Sequence, residues 1–311
     1  MTRITILVPT YNAASTISET LNSVQNNLDN ACYIDHIYIA DDSSTDNTID
    51  LCKEVWKRSN VKMTIIEAKS NVGERANINR AVLALDNKYD WLLLIHADDL
   101  AKNNWLEEMC GAIMNSSDEV ASISSSYDVL KENGSIEVGE DRNELSKITG
   151  DRSSIKETLL NGTWWHISGC AIKISVLKNS GGFNKNLPQY GDMEWLLRIM
   201  STGYSIIYLP KSLTTYRQLE TSISSISFKI HRDLFELANL VIAYKSLFTF
   251  IEMFKFYCSM IYSLFRRIVK SILSLNFLRL KNAIILLLRL TNLYFIKRKP
   301  AIHIEVLRLR K

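Results

Sequence analysis

The chain lacks several things that would have settled its class at once. Its apolar C-terminal part has no stretch able to cross a bilayer: the longest uncharged run there, Phe256–Phe265, is far below the ~20 residues a spanning helix needs. Its five cysteines, Cys32, Cys52, Cys110, Cys170 and Cys258, are odd in number and scattered. With no CxxC pair and no Cys/His spacing, they exclude a zinc module and read as thiols in a reducing compartment. No signal peptide is visible, because Arg3 runs directly into a strand-like segment without a cleavage site. The body is therefore expected to stay in the cytoplasm. There is no internal repeat and no low-complexity tract, and an apolar share of 47% is that of a folded globular chain.

Charge is unevenly distributed. From Met1 to Ile226 there are 21 Lys and Arg against 29 Asp and Glu; from Ser227 to Lys311 there are 16 against 4. The expected organisation is an acidic body, residues 1–226, divided into a first half 1–100 and a second half 101–226, followed by a basic tail, residues 227–311.

Short apolar runs rich in branched or aromatic residues mark buried parallel strands at Ile4–Val8, Asp35–Ala40, Val61–Ile66 and Trp91–Ile95. Helical spacing separates them, over about Ser15–Asn27, a segment capped by Ser44 or Thr45, and Glu74–Leu85. Strands alternating with such helices predict βαβ units and a parallel α/β sheet. Beyond residue 100 the pattern loosens. Trp105–Met114 and Met193–Met200 read as helices, Val120–Tyr127, Ile167–Ile174 and Ile206–Leu209 as strands, and Lys131–Arg152 as a polar loop.

Polar clusters follow the strands: Val8-Pro9-Thr10-Tyr11-Asn12, Asp41-Asp42-Ser43-Ser44-Thr45-Asp46, Asn71-Val72-Gly73 and His96-Ala97-Asp98-Asp99. Each alone reads as a turn or helix cap. Together, in order and in matching positions, they gather where open α/β sheets bind ligands, past the carboxyl ends of the strands. Asp98-Asp99 suits a divalent cation that keeps substrate phosphates as further ligands. Asp41 or Asp42 suits a base N–H or a ribose hydroxyl, Tyr11 a stacked base, and Gly73 a close backbone approach. The ensemble predicts a nucleoside diphosphate held by base and phosphates. Val8–Ala14 has neither Gly nor a basic residue, which argues against the triphosphate-gripping loop of a nucleotidyltransferase.

These motifs resemble those of family 2 glycosyltransferases, with the GT-A (nucleotide-diphospho-sugar transferase) fold, from Met1 to about Ser225. The likeness extends through Asn79-Arg80-Ala81, Gly191-Asp192-Met193-Glu194-Trp195 with Arg198, and Tyr216-Arg217. It departs at His96, where the family often has Asp, at Gly191, where it often has Glu, and at Leu219, where it often has His. The resemblance implies a Rossmann-like, mostly parallel sheet flanked by helices. It also implies donor contacts from Pro9, Tyr11, Asp41, Asp42, Arg75 and Asp98, and Mn²⁺ or Mg²⁺ on Asp99 and Asp98. Asp192 is implied as the base of an inverting transfer, with His166, Glu194, Trp195 and Arg217 on the acceptor side. The implied reaction moves a sugar, expected from UDP, to a hydroxyl of a lipid-linked glycan in surface polysaccharide (O-antigen or capsule) assembly. Asp192 also separates this reading from a non-catalytic sugar-nucleotide-binding or scaffold subunit, which has no need of a base.

The tail carries helical spacing throughout. Between Phe254 and Ile272, the residues Ile261, Leu264, Phe265, Ile268 and Ile272 share one side, and Lys255, Arg266, Arg267 and Lys270 the other. This predicts an amphipathic helix lying in the interface of an anionic membrane. With no nucleic-acid motif in view and an acidic body before it, the tail is expected to hold the protein peripherally on the inner face of the cell membrane, not on nucleic acid, with packing onto a partner protein as the competing reading.

Overall fold

The computed structural model describes residues 2–28, 34–56, 60–141, 146–162, 165–220, 222–297 and 299–304. Cys32, Trp164 and the last seven residues of the tail lie outside the described residues. Two compact units emerge. The first comprises residues 1–150, 164–185 and 203–218, and the second residues 151–163, 186–202 and 219–311. This division differs from the compositional one at Ile226, because the second unit also takes two helices from within the acidic body.

The first unit alternates β1 (Ile4–Thr10), α1 (Ile17–Leu28), β2 (Ile34–Asp41), α2 (Thr48–Trp56), β3 (Lys62–Glu67), α3 (Glu74–Ala84) and β4 (Trp91–Leu94). It continues through β5 (Leu100–Ala101), α4 (Trp105–Met114), β6 (Val120–Lys131), β7 (Ile136–Glu137) and β8 (Ser146–Ile148). In chain order the second unit's α5 (Arg152–Asn161) follows, then the first unit's β9 (Cys170–Lys173) and α6 (Ile174–Asn179). Next come α7 (Gly191–Ser201) of the second unit and β10 (Ser205–Gln218) of the first.

One sheet runs in the order β3-β2-β1-β4-β9-β6-β10-β5. The first four strands are parallel, with Thr10 level with Asp41 and Asp41 with Glu67. β1 is buried along its entire length, as a central parallel strand covered on both faces must be. The α/β class and the flanking helices are as expected, but the sheet is more mixed than the first hundred residues suggest. β9 is antiparallel to both β4 and β6, while β6 and β10 run parallel. The core packs Ile4, Ile6, Val8, Ile17, Leu21, Ile37, Ile39 and Leu93 against Trp105, Met109 and Leu213.

Four expectations need correction. β10 is 14 residues long and not confined to Ile206–Leu209, because it continues past Pro210 through register shifts against β6. The loop expected over Lys131–Arg152 carries the short strands β7 and β8 and stops as α5 begins. The segment read as a strand over Ile167–Ile174 pairs only at Cys170–Lys173 and turns directly into α6. Finally, α2 is capped by neither Ser44 nor Thr45: Asp46 Oδ1 accepts the Thr48 N–H at 3.1 Å and the Thr48 hydroxyl, a carboxylate cap in the positive field of the helix start.

The second unit goes on from α5 and α7 to α8 (Ile223–Lys229), α9 (Arg232–Ala243), α10 (Phe250–Leu273) and α11 (Phe277–Thr291). A capping box opens α10: Thr249 Oγ1 accepts the Glu252 N–H, and the Glu252 carboxylate accepts the Thr249 N–H. The side that α10 buries is set by Phe256, Met260, Leu264 and Ser271. Leu264 therefore turns inward, away from Phe265 and Ile272, and Arg267 pairs with the buried Asp233 at 2.6 Å instead of joining an open basic side. The sequence pattern had merged two apolar stripes into one.

Candidate active site

The loops after β1 and β2 are stitched together by short polar side chains. Asn12 and Ser43 take left-handed φ angles of 46° and 66°, which such residues adopt more readily than bulkier ones. Asn12 Oδ1 accepts the Thr45 N–H at 2.8 Å, and Ser44 Oγ accepts the Asn12 N–H at 2.9 Å. Asp46 Oδ2 accepts the Ala14 N–H at 3.1 Å. Much of the Asp41–Asp46 cluster thus serves to hold two loops in register. Asp41 accepts both the N–H and the hydroxyl of Ser44. Asp42 grips the next loop: Oδ1 accepts the Val72 N–H at 2.9 Å and Oδ2 the Gly73 N–H at 2.8 Å. Gly73, at φ 86°, fits the turn because it has no Cβ to strain. Both carboxylates reach the strand ends as expected, already engaged and with lone pairs remaining for a ligand. Pro9 is buried in β1, so of the pair expected at the base it is Tyr11, 49% exposed, that faces solvent.

The loop after β4 is braced from three directions. Thr16, just before α1, and Thr20 within it both donate to the Ala97 carbonyl at 2.9 Å. The Ser168 hydroxyl accepts the His96 N–H at 3.0 Å. Asp99 Oδ1 accepts the Arg217 N–H of β10 at 2.9 Å, and the Arg217 guanidinium pairs with Glu19. Arg217, expected on the acceptor side, therefore serves Asp99 through its backbone. His96, Asp98 and Asp99 bring their ligand atoms within 4.8 Å of one another. Asp99 is 1% exposed, and its Oδ2 has no hydrogen-bond partner among the described residues. Burial, and then the charge of Asp98, push the Asp99 carboxyl up to about 7. Two crowded carboxylates with an orphaned buried oxygen fit a divalent cation, a hard ion that takes oxygen ligands.

Sequence reasoning passed over Glu74, the first residue of α3. It pairs with Arg75 and lies 3.4 Å from His96 Nε2. Burial alone would raise its carboxyl, but Arg75, His96 and His166 hold it below the usual range. Arg75, expected on a phosphate, is buried against this partner and lies 5.9 Å from the Phe183 ring centre. The available signal was a charge pair opening a helix directly after a glycine turn. His166 packs between Tyr127 and Tyr216, at ring-centre distances of 4.4 and 5.3 Å. Its Nδ1 lies 3.1 Å from the Ser168 carbonyl, which can only accept, so that nitrogen carries the proton. An aromatic wall thus stands on β6 and β10, composed of residues too far apart in sequence to suggest it.

In the second unit, Asp192 sits in the first turn of α7, half-buried, and accepts the Met193 N–H at 2.8 Å. A carboxylate there lies in the positive field of the helix start. Glu194 and Trp195, expected near the acceptor, are instead interior. Glu194 is 1% exposed and takes two 3.0 Å hydrogen bonds from Arg198, one turn along, and Trp195 is fully buried. A buried charge has to be paired in this way.

Comparison with known proteins follows the same lines. The sequence model described as "Glycosyl transferase family 2" matches residues 5–167. TuaG of Bacillus subtilis (strain 168), named as a glycosyltransferase of teichuronic acid biosynthesis, is 24% identical over 228 residues, spanning 73% of this chain and 83% of its own. Among solved structures, S. aureus TarS 1-349 in complex with UDP-GlcNAc superposes with a TM-score of 0.60 at 17% identity, covering 82% of this chain and 69% of that one. The mannosyltransferase PcManGT of Pyrobaculum calidifontis, in complex with GDP-Man and Mn²⁺, gives 0.54 at 18% identity, covering 78% and 64%. These structures share the GT-A fold with this chain.

Proposed function

The chain belongs to glycosyl transferase family 2 and is a glycosyltransferase; from that premise we propose that it moves a sugar from UDP to a hydroxyl of a lipid-linked glycan, with inversion, in surface polysaccharide assembly. The observation that carries this reading is Asp99 Oδ2, a buried carboxylate oxygen without a partner among the described residues, beside Asp98 and His96. Asp98 and Asp99, with His96 beside them, would hold Mn²⁺ or Mg²⁺, which when bound supplies neutralisation of the departing diphosphate. The UDP-sugar in the TarS structure and the Mn²⁺ in the mannosyltransferase structure support donor and metal alike. The name of TuaG supports a cell-surface polymer as product.

In this reading Tyr11 stacks on the base, and Asp41 and Asp42, pinned by loop amides, offer their remaining lone pairs to base or ribose. Arg75, held by Glu74, serves the phosphates. Asp192 takes the proton of the acceptor hydroxyl. The acceptor oxygen then bonds to the anomeric carbon from the face opposite the diphosphate as the bond to phosphate oxygen breaks, so the configuration inverts. The acceptor's lipid carrier places the reaction at the inner face of the cell membrane.

Thermal melting with UDP, GDP or dTDP, with and without Mn²⁺, tests the donor site. A ligand at 100 times its Kd adds about 2.7 kcal/mol to the folded state. UDP is expected to raise the melting temperature only with Mn²⁺ present. A shift with GDP instead overturns the choice of nucleotide, and no shift with any of the three, in protein shown to be folded, overturns the donor site.

A further inference from the structure

Apart from the stripe it buries, α10 carries a second apolar stripe that nothing among the described residues covers. Ile251, Phe254, Cys258, Tyr262, Phe265, Val269 and Ile272 recur at spacings of three or four residues and are all exposed. At 1.5 Å per residue the stripe is about 32 Å long. The neighbouring helical positions are held by Lys255, Arg266 and Lys270, also exposed, which make no ion pair among the described residues. The stripe ends in the turn to α11. There Leu273, Leu275 and Phe277 are 80%, 74% and 74% exposed, with Ile272 and Leu278 also open.

That turn is built against the ordinary preferences of a water-exposed loop. Leu275 N–H donates to the Ile272 carbonyl at 3.0 Å, and Asn276 N–H to the Ser271 carbonyl at 2.9 Å. These are the two bonds of a Schellman helix end, whose left-handed position is usually glycine. Here it is leucine, at φ 51°, which takes on backbone strain while holding an isobutyl group in the open. Strain kept at an exposed apolar residue points to a use for that residue.

We propose that the α10–α11 hairpin is a membrane-docking wedge. The turn Ile272–Leu278 and the stripe Ile251–Ile272 enter the headgroup–acyl boundary, and Lys255, Arg266 and Lys270 meet anionic headgroups. This rests on the reading that the enzyme works at a membrane and names the surface by which it does so. The occupant is anionic phospholipid because cations flank the stripe and the chain from Ser227 onward is strongly basic. A narrow apolar stripe with a cationic edge is the form of an interfacial helix, and no described helix is long and apolar enough to cross a membrane. The stripe differs from the one the sequence pattern singled out: Leu264 lies on the buried side and Arg267 is spoken for by Asp233.

The test uses the full chain and vesicles of phosphatidylcholine alone or mixed with phosphatidylglycerol, read by co-sedimentation. Wild type is expected to pellet with the mixed vesicles at least tenfold better than with phosphatidylcholine. Leu273→Glu with Phe277→Glu is expected to lose at least tenfold of that binding. Lys255→Gln, Arg266→Gln and Lys270→Gln together should abolish the preference for the anionic lipid. Unchanged melting temperature and circular dichroism certify each variant as folded. Wild-type protein that ignores both vesicles overturns the proposal, as do glutamate variants that pellet like wild type. A dimer that the glutamate variants dissociate, without vesicle binding, assigns the stripe to a second copy of the chain and overturns it too. Nucleotide-dependent stabilisation is read without lipid, so failure at the donor site and failure of docking are separate results.

Discussion

The parallel half of the first unit and the α10–α11 hairpin of the second use side chains in opposite ways. Between Ile4 and Ala101 most of the described apolar residues are buried in the core, and the polar side chains of the strand-end loops bind one another. Asp42 holds the Val72 and Gly73 amides, Asp46 the start of α2 and the Ala14 amide in the loop after β1, and Thr16 and Thr20 the Ala97 carbonyl. In α10 and the turn after it, one apolar stripe is buried and a second stays open beside cations that make no ion pair among the described residues. A ligand that arrives at the strand ends meets groups already fixed, so little ordering entropy remains to be lost on binding. The hairpin, by contrast, retains exposed apolar surface whose burial can drive association. In the proposed reading one region is prepared for a small polar ligand and the other for a membrane boundary.

The largest effect should come from a carboxylate outside the fixed donor loops. If Asp192 is the base, Asp192→Asn leaves the stitched strand ends untouched and removes only the proton acceptor, a contribution of about 10²–10⁴-fold. Turnover should fall by that factor while donor affinity, measured by melting with UDP and Mn²⁺, stays within about twofold. Unchanged turnover would remove Asp192 from the mechanism and leave the chemistry to be found among residues that the loops already engage.

The fixed region can be loosened directly. Asp42→Asn keeps one acceptor oxygen and turns an amide NH₂ toward a backbone N–H. It therefore loses one charge-assisted hydrogen bond and creates a donor facing a donor. The expected cost is about 1–3 kcal/mol, read as a lower melting temperature, together with weaker stabilisation by UDP as the Val72–Gly73 turn becomes less ordered. A variant as stable as wild type would mean that solvent satisfies those amides and that Asp42 is kept for the ligand alone.

What the sequence disclosed follows the same contrast. In the parallel half, burial and polarity agree, so strand ends and motif positions could be read from short apolar runs, and α4 matches its expected bounds. The interior place of Glu194 was not readable, because a motif match carries position but not burial. β10 was cut short because Pro210 and Lys211 break its apolar run, although backbone pairing with β6 carries it to Gln218. α5 was hidden in a polar stretch because only Ile155, Thr158 and Leu159 of its ten residues are buried. In α10 the apolar residues occupy too much of the circumference for periodicity to say which of them faces inward. Glu74 and the His166–Tyr127–Tyr216 wall depend on contacts between segments that periodicity does not connect.

The smallest expected effect is the most direct test of the hairpin's contrast with the core, because stability and docking should move in opposite directions. Leu275 is 74% exposed, so its side chain contributes little packing, yet its φ of 51° costs a branched residue more than glycine. Leu275→Gly should therefore stabilise the protein, by about 1 kcal/mol or about 2–4 °C in melting temperature. A leucine moved from water into an apolar boundary contributes at least about 1.5 kcal/mol, so the same change should weaken binding to phosphatidylglycerol-containing vesicles about tenfold. Had the leucine been selected for the fold, its loss would lower stability. A variant that melts higher and docks more weakly shows that the strain is borne for the membrane.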